Sequence, residues 1–261
     1  MRLKDKKCIV TGGAAGIGSA IAEAFVREGA QVALLDINAD AASMMAERLN
    51  AVAPHSAFAM GCDVGYSARV VPAIANAVAT LGGLHVLVNN AGVISQSPVV
   101  SMEEDEWDRI IRTNLKSIFL CCREAARVMI RQGQGGRIIS LSSIHAVLSE
   151  PNCGHYTASK GGIEGFSRTL ATELAPHKIT VNFIRPGATY TELTTPMYTE
   201  NVVRALFERV PLKEIAQASW IAAGAVFLAS DEARYMTGQS LTMDGGYVMD
   251  GSLPGASYWT R

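Results

Sequence analysis

Apolar segments rich in β-branched residues alternate with segments of helical period along the whole chain. Seven segments predict strands: Cys8–Val10, Gln31–Leu35, Ser56–Met60, Val86–Val88, Arg137–Leu141, Ile179–Ile184 and Ser240–Thr242. Six others predict helices: Ile17–Glu28, Ala39–Leu49, Ala68–Leu81, Glu103–Ile130, Tyr156–Leu174 and Ala218–Leu228. Because strands and helices alternate, we expect an α/β fold with a doubly wound, mainly seven-stranded parallel sheet and helices on both faces.

One segment, Thr189–Leu212, breaks this alternation and carries Pro196 and Pro211 near its ends. Long irregular loops in compact domains are usually functional, and the carboxyl ends of parallel strands face the ligand crevice. No internal repeat or linker divides the chain. We therefore expect one domain over residues 1–261, with a substrate lid near 189–212.

The composition excludes several classes of protein. Hydrophobic residues make up 49% of the 261 and charged residues 18%, which suits a sheet covered on both faces. The formal net charge is −1 and no basic run occurs, so we expect no nucleic-acid partner. No apolar run approaches the length of about 18 residues that spans a bilayer, and no signal-peptide pattern occurs, which predicts a cytoplasmic protein with no membrane partner.

The cysteines argue against a metal site and against disulfides. They are odd in number and include no Cys-x-x-Cys pair: Cys8, Cys62, Cys121, Cys122 and Cys153. Zinc sites and disulfide frameworks need spaced sets of ligands or paired thiols. We expect reduced and mostly buried thiols, and no metal.

A glycine-rich turn follows the first strand and opens the first helix. Glycine is needed where a turn is tight, where backbone approaches a pyrophosphate and where a helix packs closely on a strand. The free N–H groups at the start of the helix then hold the phosphates. The cofactor contacts expected in this turn are Gly12, Ala15, Gly16, Ile17 and Gly18.

The residue after the second strand predicts which dinucleotide binds. Asp36 can accept hydrogen bonds from the ribose hydroxyls of NAD and would repel the 2′-phosphate of NADP. Ile37 and Asn38 supply no cation to hold that phosphate. We therefore expect NAD as the cofactor, with Asp36 and Ile37 in contact with it.

Two further strand ends belong to the expected cofactor site. Asp63 and Val64 follow the third strand, where the Asp63 carboxylate can meet the adenine amino group or merely cap a loop. Asn90, Ala91 and Gly92 follow the fourth strand. Small residues there let backbone pass under a nucleotide, although a structural turn has the same pattern.

A candidate acid/base group lies around the fifth strand and the helix after it. Ser143 follows the strand, and Tyr156 and Lys160, four residues apart, share one face of the helix. A phenol has a pKa of about 10, so its use as a base near pH 7 requires about 4 kcal/mol of stabilisation of the phenolate. The Lys160 ammonium and a positive nicotinamide ring can supply this stabilisation.

Together these motifs resemble the short-chain dehydrogenase/reductase family over essentially the whole chain. The residues that carry the resemblance are Thr11–Gly18, Asn89–Gly92, Asn114, Ser143, Tyr156, Lys160 and Pro186-Gly187. The resemblance implies a Rossmann fold and reversible hydride transfer between nicotinamide and a secondary alcohol. It implies Tyr156 as general acid/base, Lys160 as its partner and ribose ligand, and Ser143 as the group that orients substrate.

The same resemblance assigns further residues. Asn114 would anchor a water that relays protons to Lys160, although an interior polar residue bonding to backbone is the alternative. Pro186, Gly187 and Thr191 match the segment that contacts the nicotinamide carboxamide. Thr189 stands where many members have Val or Ile, but we include it in the cofactor site. The resemblance also implies a homotetramer built through helices such as Tyr156–Leu174.

Polar residues near Tyr156 favour a small hydroxylated substrate, such as a sugar or polyol. The expected substrate contacts follow strands four and five, precede Tyr156 or enter the lid: Ser95, His145, Asn152, His155 and Tyr190, with Cys153 and Thr194 beside them. His155 points about 100° away from Tyr156 around the helix, which favours packing over substrate contact. Exposed polar loops are equally consistent with the other positions.

Two other functions remain open. Reduction of a 3-oxoacyl thioester fits the family, but it usually goes with NADPH and a basic residue near the glycine-rich turn or after strand two, whereas this chain has Ala15 and Asp36. A catalytically silent NAD-binding sensor is the other alternative, and the full set of acid/base residues argues against it. At the end of the chain, the aromatic and apolar residues favour packing across an interface over a lightly ordered tail: Tyr247–Met249, Leu253-Pro254 and Tyr258-Trp259.

Overall fold

Seven strands form one parallel sheet: β1 Lys7–Thr11, β2 Gln31–Asp36, β3 Ala57–Gly61, β4 Val86–Asn89, β5 Gly136–Leu141, β6 Ile179–Pro186 and β9 Ser240–Met243. Their order across the sheet is β3-β2-β1-β4-β5-β6-β9. Two-residue strands β7 Thr189–Tyr190 and β8 Ala216–Gln217 pair beside it. All seven strand predictions are confirmed, and so is the doubly wound α/β class.

The helices cover both faces of this sheet. They are α1 Gly16–Arg27, α2 Ala39–Val52, α3 Ser67–Leu81, α4 Glu104–Ile111, α5 Ser117–Gln132, α6 Gly154–Leu174, α7 Glu200–Arg209 and α8 Ala218–Ala229. Short 3₁₀ turns lie at Val99–Ser101, Ile144–Ala146, Ala175–His177, Thr195–Met197 and Asp231–Ala233. The computed structural model describes residues 1–251, so the expected packing of Leu253-Pro254 and Tyr258-Trp259 lies outside the described residues.

Each face of the sheet has its own hydrophobic core. Ile21 of α1, Leu49 of α2 and Ile221 of α8 belong to one core. Ile74 of α3 and Ile163 of α6 belong to the other. Burying a side chain of this size stabilises the fold by about 1.5–3 kcal/mol. The two cores hold the carboxyl ends of the strands, and therefore the loops that follow them, in a fixed arrangement.

The structure corrects two expectations about the elements. The helix expected over Glu103–Ile130 is interrupted by a π-helical turn at Arg112–Lys116, and such turns are frequent at functional sites. The segment Thr189–Leu212, expected to be irregular, contains α7 and β7. Thr199 caps α7 by accepting a hydrogen bond from the Val202 amide.

Two other expectations can be compared with the described residues directly. All five cysteines are free and buried, as expected. Among residues 1–251, no helix combines the length and the apolar character that crossing a bilayer requires. Near the end of the described chain, Met249 is exposed, while the Arg209 guanidinium lies 5.9 Å from the centre of the Tyr247 ring.

Candidate active site

A cleft of about 810 Å³ opens at the carboxyl ends of the strands. Ligands of open α/β sheets bind where the strand order reverses, which here is between β1 and β4. The volume lies within the roughly 300–1,000 Å³ typical of small-molecule sites. The expected site residues that line it are Gly12, Ala15, Gly16, Ile17, Asp36, Ile37, Asp63, Val64, Asn90, Ala91, Gly92, Ser143, Tyr156, Lys160, Pro186, Gly187, Thr189 and Thr191.

Two glycines of the glycine-rich turn have no room for a side chain. Gly12 has φ +62°, and a Cβ there would lie 2.8 Å from the Cα of Ala91. A Cβ on Gly18, which lies behind the cleft wall, would come within 1.9 Å of the Gly12 carbonyl. Helix α1 begins at Gly16 without a side-chain cap or an acidic residue in its first turn. Its first N–H groups are therefore available to an anion.

Asp36 lies at the end of β2, where both of its carboxylate oxygens are held by backbone. Oδ2 accepts a hydrogen bond from the Ala14 amide at 3.0 Å, and Oδ1 accepts one from the Asn38 amide at 3.0 Å. No ion pair with Asp36 occurs in the described part of the chain. The cleft wall at this point is therefore negatively charged and fixed in position.

Side chains also fix the loops after β3 and β4. The Asp63 carboxylate accepts a hydrogen bond from the Gly65 amide at 2.9 Å. This bond caps the loop, which was the alternative to a contact with adenine. Asn90 donates to the carbonyls of Thr11 at 3.1 Å and Gly12 at 2.8 Å. These bonds join the end of β4 to the glycine-rich turn across the floor of the cleft.

Ser143, Tyr156 and Lys160 come together at the other end of the cleft. The Lys160 ammonium lies 5.5 Å from the centre of the Tyr156 ring and donates to the Leu141 carbonyl at 2.8 Å. Burial lowers the pKa of Lys160 to about 8. Burial raises the pKa of Tyr156 to about 12, against a lowering contribution from the Ser143 hydroxyl. The protein alone thus favours a neutral phenol, and the lowering of its pKa by Lys160 together with a positive nicotinamide ring stays a prediction.

Asn114 lies in the π-helical turn and is 1% exposed. Its Oδ1 accepts from the Val93 amide at 2.8 Å, and its Nδ2 donates to the Val93 carbonyl at 2.9 Å. A longer bond of 3.3 Å reaches the Ser159 hydroxyl of α6. Asn114 is therefore an interior polar residue that bonds to backbone, which was the alternative to anchoring a relay water. It joins the loop after β4 to the helix that carries Tyr156.

Two expected substrate residues belong to a polar network behind the cleft wall. The ring of His155 is fully buried, and its Nε2 lies 2.9 Å from the Ser95 hydroxyl. That hydroxyl also donates to the Glu106 carboxylate, which pairs with Arg109. These hydrogen bonds hold the pKa of Glu106 down at about 2. Neither Ser95 nor His155 is among the described residues that line the cleft.

Of the other expected substrate residues, Thr194 lines the cleft, whereas His145, Asn152, Cys153 and Tyr190 are not among its described lining residues. The His145 ring meets the Tyr156 ring edge-on, with 5.9 Å between centres, and burial lowers its pKa. Asn152 is exposed, and its carbonyl accepts from the Ser97 amide at 2.8 Å. Tyr190 packs edge-on against Tyr198.

Several wall residues were not anticipated from the sequence. Tyr198 lines the cleft, and its hydroxyl accepts from the Thr189 amide at 3.0 Å. Glu192 and Leu193 join it from the same segment, and Arg109 and Arg112 join it from the α4 region. The i, i+3 spacing of the two arginines was a usable signal, because such residues share a helix face. The sequence carried no signal for Tyr198, because its position in the cleft wall depends on how the segment after β6 folds.

Comparison with known proteins identifies the family. The family model described as enoyl-(acyl carrier protein) reductase matches residues 12–248. A protein named probable galactose dehydrogenase, from Rhizobium meliloti, is 38% identical and aligns over 94% of this chain and 95% of its own. A 3-oxoacyl-(acyl-carrier-protein) reductase of Staphylococcus epidermidis is 37% identical, over 94% of this chain and 100% of its own.

A solved structure points to the same family. The short-chain type dehydrogenase/reductase from Mycobacterium marinum superposes with a TM-score of 0.90 at 33% identity, covering 94% of this chain and 96% of its own. The fold, the order of the motifs and these similarities lead to one conclusion. The chain belongs to the short-chain dehydrogenase/reductase family and is an oxidoreductase.

Proposed function

We propose that the enzyme interconverts a secondary alcohol and a ketone with NAD as its cofactor, and that its substrate is a sugar, a polyol or a similar small polar alcohol. The observation that carries the cofactor choice is Asp36. Its carboxylate lies in the cleft wall, held by the Ala14 and Asn38 amides, with no ion-pair partner among residues 1–251. A 2′-phosphate at this position would meet negative charge, whereas ribose hydroxyls would find an acceptor.

The residues of the cleft fit a dinucleotide. The side-chain-free surface at Gly12 and Gly16 and the uncapped start of α1 suit a pyrophosphate. Asp36 and Ile37 would bind the adenosine ribose, and Asp63 and Val64 the adenine. Asn90 to Gly92 would pass beneath the nucleotide, and Lys160 would bind the second ribose. Pro186, Gly187, Thr189 and Thr191 would hold the carboxamide end.

The protein supplies orientation and proton transfer. Tyr156 takes the hydroxyl proton of the alcohol during oxidation and returns it during reduction. Ser143 donates a hydrogen bond to the same substrate oxygen, and Lys160 holds positive charge beside the phenol. Asn114 links the loop before α4 to α6. We also keep the proposal that Asn114 anchors a water that relays protons to Lys160. When bound, the nicotinamide ring accepts or gives the hydride.

The substrate class is supported by two observations. A relative at 38% identity is named as a galactose dehydrogenase. The segment that follows β6 contributes four hydroxyl-bearing residues to the cleft wall: Thr189, Thr191, Thr194 and Tyr198. His145, beside Tyr156, is the best placed of the expected substrate residues. We also retain the proposal that the segment 189–212 acts as a lid.

A second candidate is reduction of 3-oxoacyl thioesters. It is favoured by the 37% identical relative with that name. NADPH would be its expected cofactor, and Asp36 opposes that cofactor. The sensor without turnover, which the sequence left open, is not retained, because the chain belongs to an oxidoreductase family and Ser143, Tyr156 and Lys160 line one cleft.

The experiment that separates these candidates follows nicotinamide absorbance in the purified enzyme. Sugars, polyols, hydroxy acids and simple secondary alcohols are offered with NAD⁺ and with NADP⁺, and 3-oxoacyl thioesters with NADH and NADPH. Oxidation of a sugar or polyol with NAD⁺ is the expected result. Activity on thioesters with NADPH alone would overturn both the substrate class and the role given to Asp36.

We further propose a homotetramer in the cytoplasm. The supporting observation is apolar surface on the helices around α6: Trp107 and Phe119 are 41% and 44% exposed. Phe119 packs edge-on against Phe166 of α6, so this surface continues onto that helix. Light scattering on the purified protein measures the assembly directly, and a monomer would overturn it.

A further inference from the structure

A buried carboxylate lies one helical turn beyond the lysine of the active site. Glu164 follows Lys160 by four residues on α6, so the two share a helix face. Glu164 is only 3% exposed. Buried carboxylates are rare unless they are paired, and none of the chemistry proposed above uses this one.

Glu164 is held by three partners. Arg185 binds it through two parallel hydrogen bonds, Nε to Oε1 and one terminal nitrogen to Oε2, which fixes geometry as well as charge. The Ser142 hydroxyl donates to Oε1 at 2.9 Å. Arg168 approaches Oε2 at 3.7 Å, but its side chain is 57% exposed. The hydrogen bonds that Arg185 donates to Glu164 raise the pKa of Arg185.

These partners place Glu164 where three backbone segments of the active site meet. Ser142 directly precedes Ser143 at the end of β5, and its hydroxyl also lies 3.3 Å from the Lys160 carbonyl. Arg185 directly precedes Pro186 and Gly187, which line the cleft. Glu164 itself belongs to the helix of Tyr156 and Lys160. One carboxylate therefore connects the ends of β5 and β6 to α6.

We infer that the Glu164–Arg185 pair is a positioning device that sets the Pro186–Gly187 wall against Tyr156 and Ser143, and so shapes the nicotinamide end of the cleft. The inference rests on the cofactor placement proposed above. Within residues 1–251, the hydrogen bonds of these two side chains reach only each other and Ser142, at one end of the cleft. The adenosine end, at Gly12 and Asp36, is therefore independent of the pair.

This independence yields a test that does not need the substrate. In the proposed placement, NADH contacts both ends of the cleft. ADP-ribose lacks the nicotinamide ring, so its binding reports on the remainder of the cofactor site. NADH binding is followed by its fluorescence, which senses the surroundings of the nicotinamide, and ADP-ribose binding by calorimetry. The variants are Glu164→Gln, Arg185→Lys and the double variant Glu164→Leu/Arg185→Met. Arg168→Gln is the matched control, because it removes only the exposed neighbour of Glu164.

We expect each pair variant to bind NADH about tenfold more weakly or worse, because small displacements of a binding wall have large effects. Its bound NADH should lose part of the fluorescence change seen in the wild type. ADP-ribose affinity should stay within about twofold, and Arg168→Gln should match the wild type for both ligands. Arg185→Lys keeps the charge but loses the two-bond geometry, so its loss should be the smallest.

The double variant guards against misfolding. Glu164→Gln leaves the partly buried charge of Arg185 without its partner, whereas an apolar replacement of the whole pair usually preserves the fold. If the pair only stabilises the protein, the melting temperature falls while NADH and ADP-ribose affinities change together or not at all. If the variants are folded and the wild type binds both ligands, that result would overturn the positioning role of the pair and leave the proposed cofactor standing. A wild type that binds neither ligand would overturn the proposed cofactor and the inference together.

Discussion

The carboxylate of Asp36 accepts a hydrogen bond from the backbone amide of Ala14 at 3.0 Å, so the end of β2 and the glycine-rich turn share one acidic group. The second oxygen accepts from Asn38, which caps α2. The acid is therefore part of the local structure as well as the cleft wall. A change at this position should affect binding of a charged ligand more than it affects the fold.

Asp36→Asn should relax the selection against NADP⁺. The substitution removes the charge while keeping the size of the side chain, so NADP⁺ should bind about tenfold more tightly, a gain of about 1.4 kcal/mol. NAD⁺ should bind more weakly, because a charged acceptor for the ribose hydroxyls is lost. Calorimetric titration of both cofactors measures this, with Asp40→Asn on exposed α2 surface as control. Unchanged NADP⁺ affinity would mean that Asp36 does not choose the cofactor.

Asn114→Ala should destabilise the protein by about 2–4 kcal/mol, since it leaves a backbone N–H and a carbonyl of Val93 unpaired. Denaturant unfolding measures the change. Asn201→Ala, on the exposed surface of α7, is the control and should change stability by no more than about 0.5 kcal/mol. If Asn114→Ala is as mild as the control, the side chain does not hold Val93 in solution.

Lys160 should make the stability of the cofactor-free protein depend on pH. Burial lowers its pKa from 10.5 to about 8 in the folded state. Between these values the unfolded chain holds more protons, so the free energy of unfolding rises with pH across that window. Below about pH 8 Lys160 is charged in the folded protein, and its buried charge lowers the free energy of unfolding by the full amount, about 3 kcal/mol.

The Lys160→Met variant isolates this dependence. Its stability relative to the wild type should fall by about 3 kcal/mol between pH 8 and pH 10.5, because the wild type alone gains stability over that range. Unfolding in denaturant at several pH values measures the difference. Lys213→Met, an exposed substitution, should show no such slope. A constant difference between Lys160→Met and the wild type would contradict the lowered pKa.

The sheet could be predicted from the sequence because parallel strands are buried on both faces. Val86–Asn89 is apolar up to its last residue and buried throughout, and Ile179–Pro186 is buried at seven of its eight positions. The first turn of α1 and the acid at Asp36 follow from local rules about glycine, helix ends and charge. Those features explain why nearly all residues expected to bind the cofactor line one cleft, while their contact with a cofactor stays a prediction.

Other features depended on tertiary structure. The place of His155 on its helix favoured packing over substrate contact, and its ring is buried outside the described cleft wall. Its partners Ser95 and Glu106 come from the loop after β4 and from α4, and the sequence does not indicate that these meet α6. Helix α7 was missed although Thr199 and Glu200 form a recognisable helix start, because the flanking prolines suggested an irregular segment. The Glu164–Arg185 pair joins residues 21 apart in sequence, and only the sheet brings them together.

The most direct test of the account compares the wild type with Tyr156→Phe, using NAD⁺ and the sugar or polyol that the wild type oxidises fastest. Tyr235→Phe, at a fully exposed tyrosine, is the matched control. The account predicts that Tyr156→Phe binds NADH normally but loses turnover by about a hundredfold to ten-thousandfold, because the proton at the substrate oxygen has no acceptor. Turnover within a few-fold of the wild type, with cofactor binding intact, would contradict it.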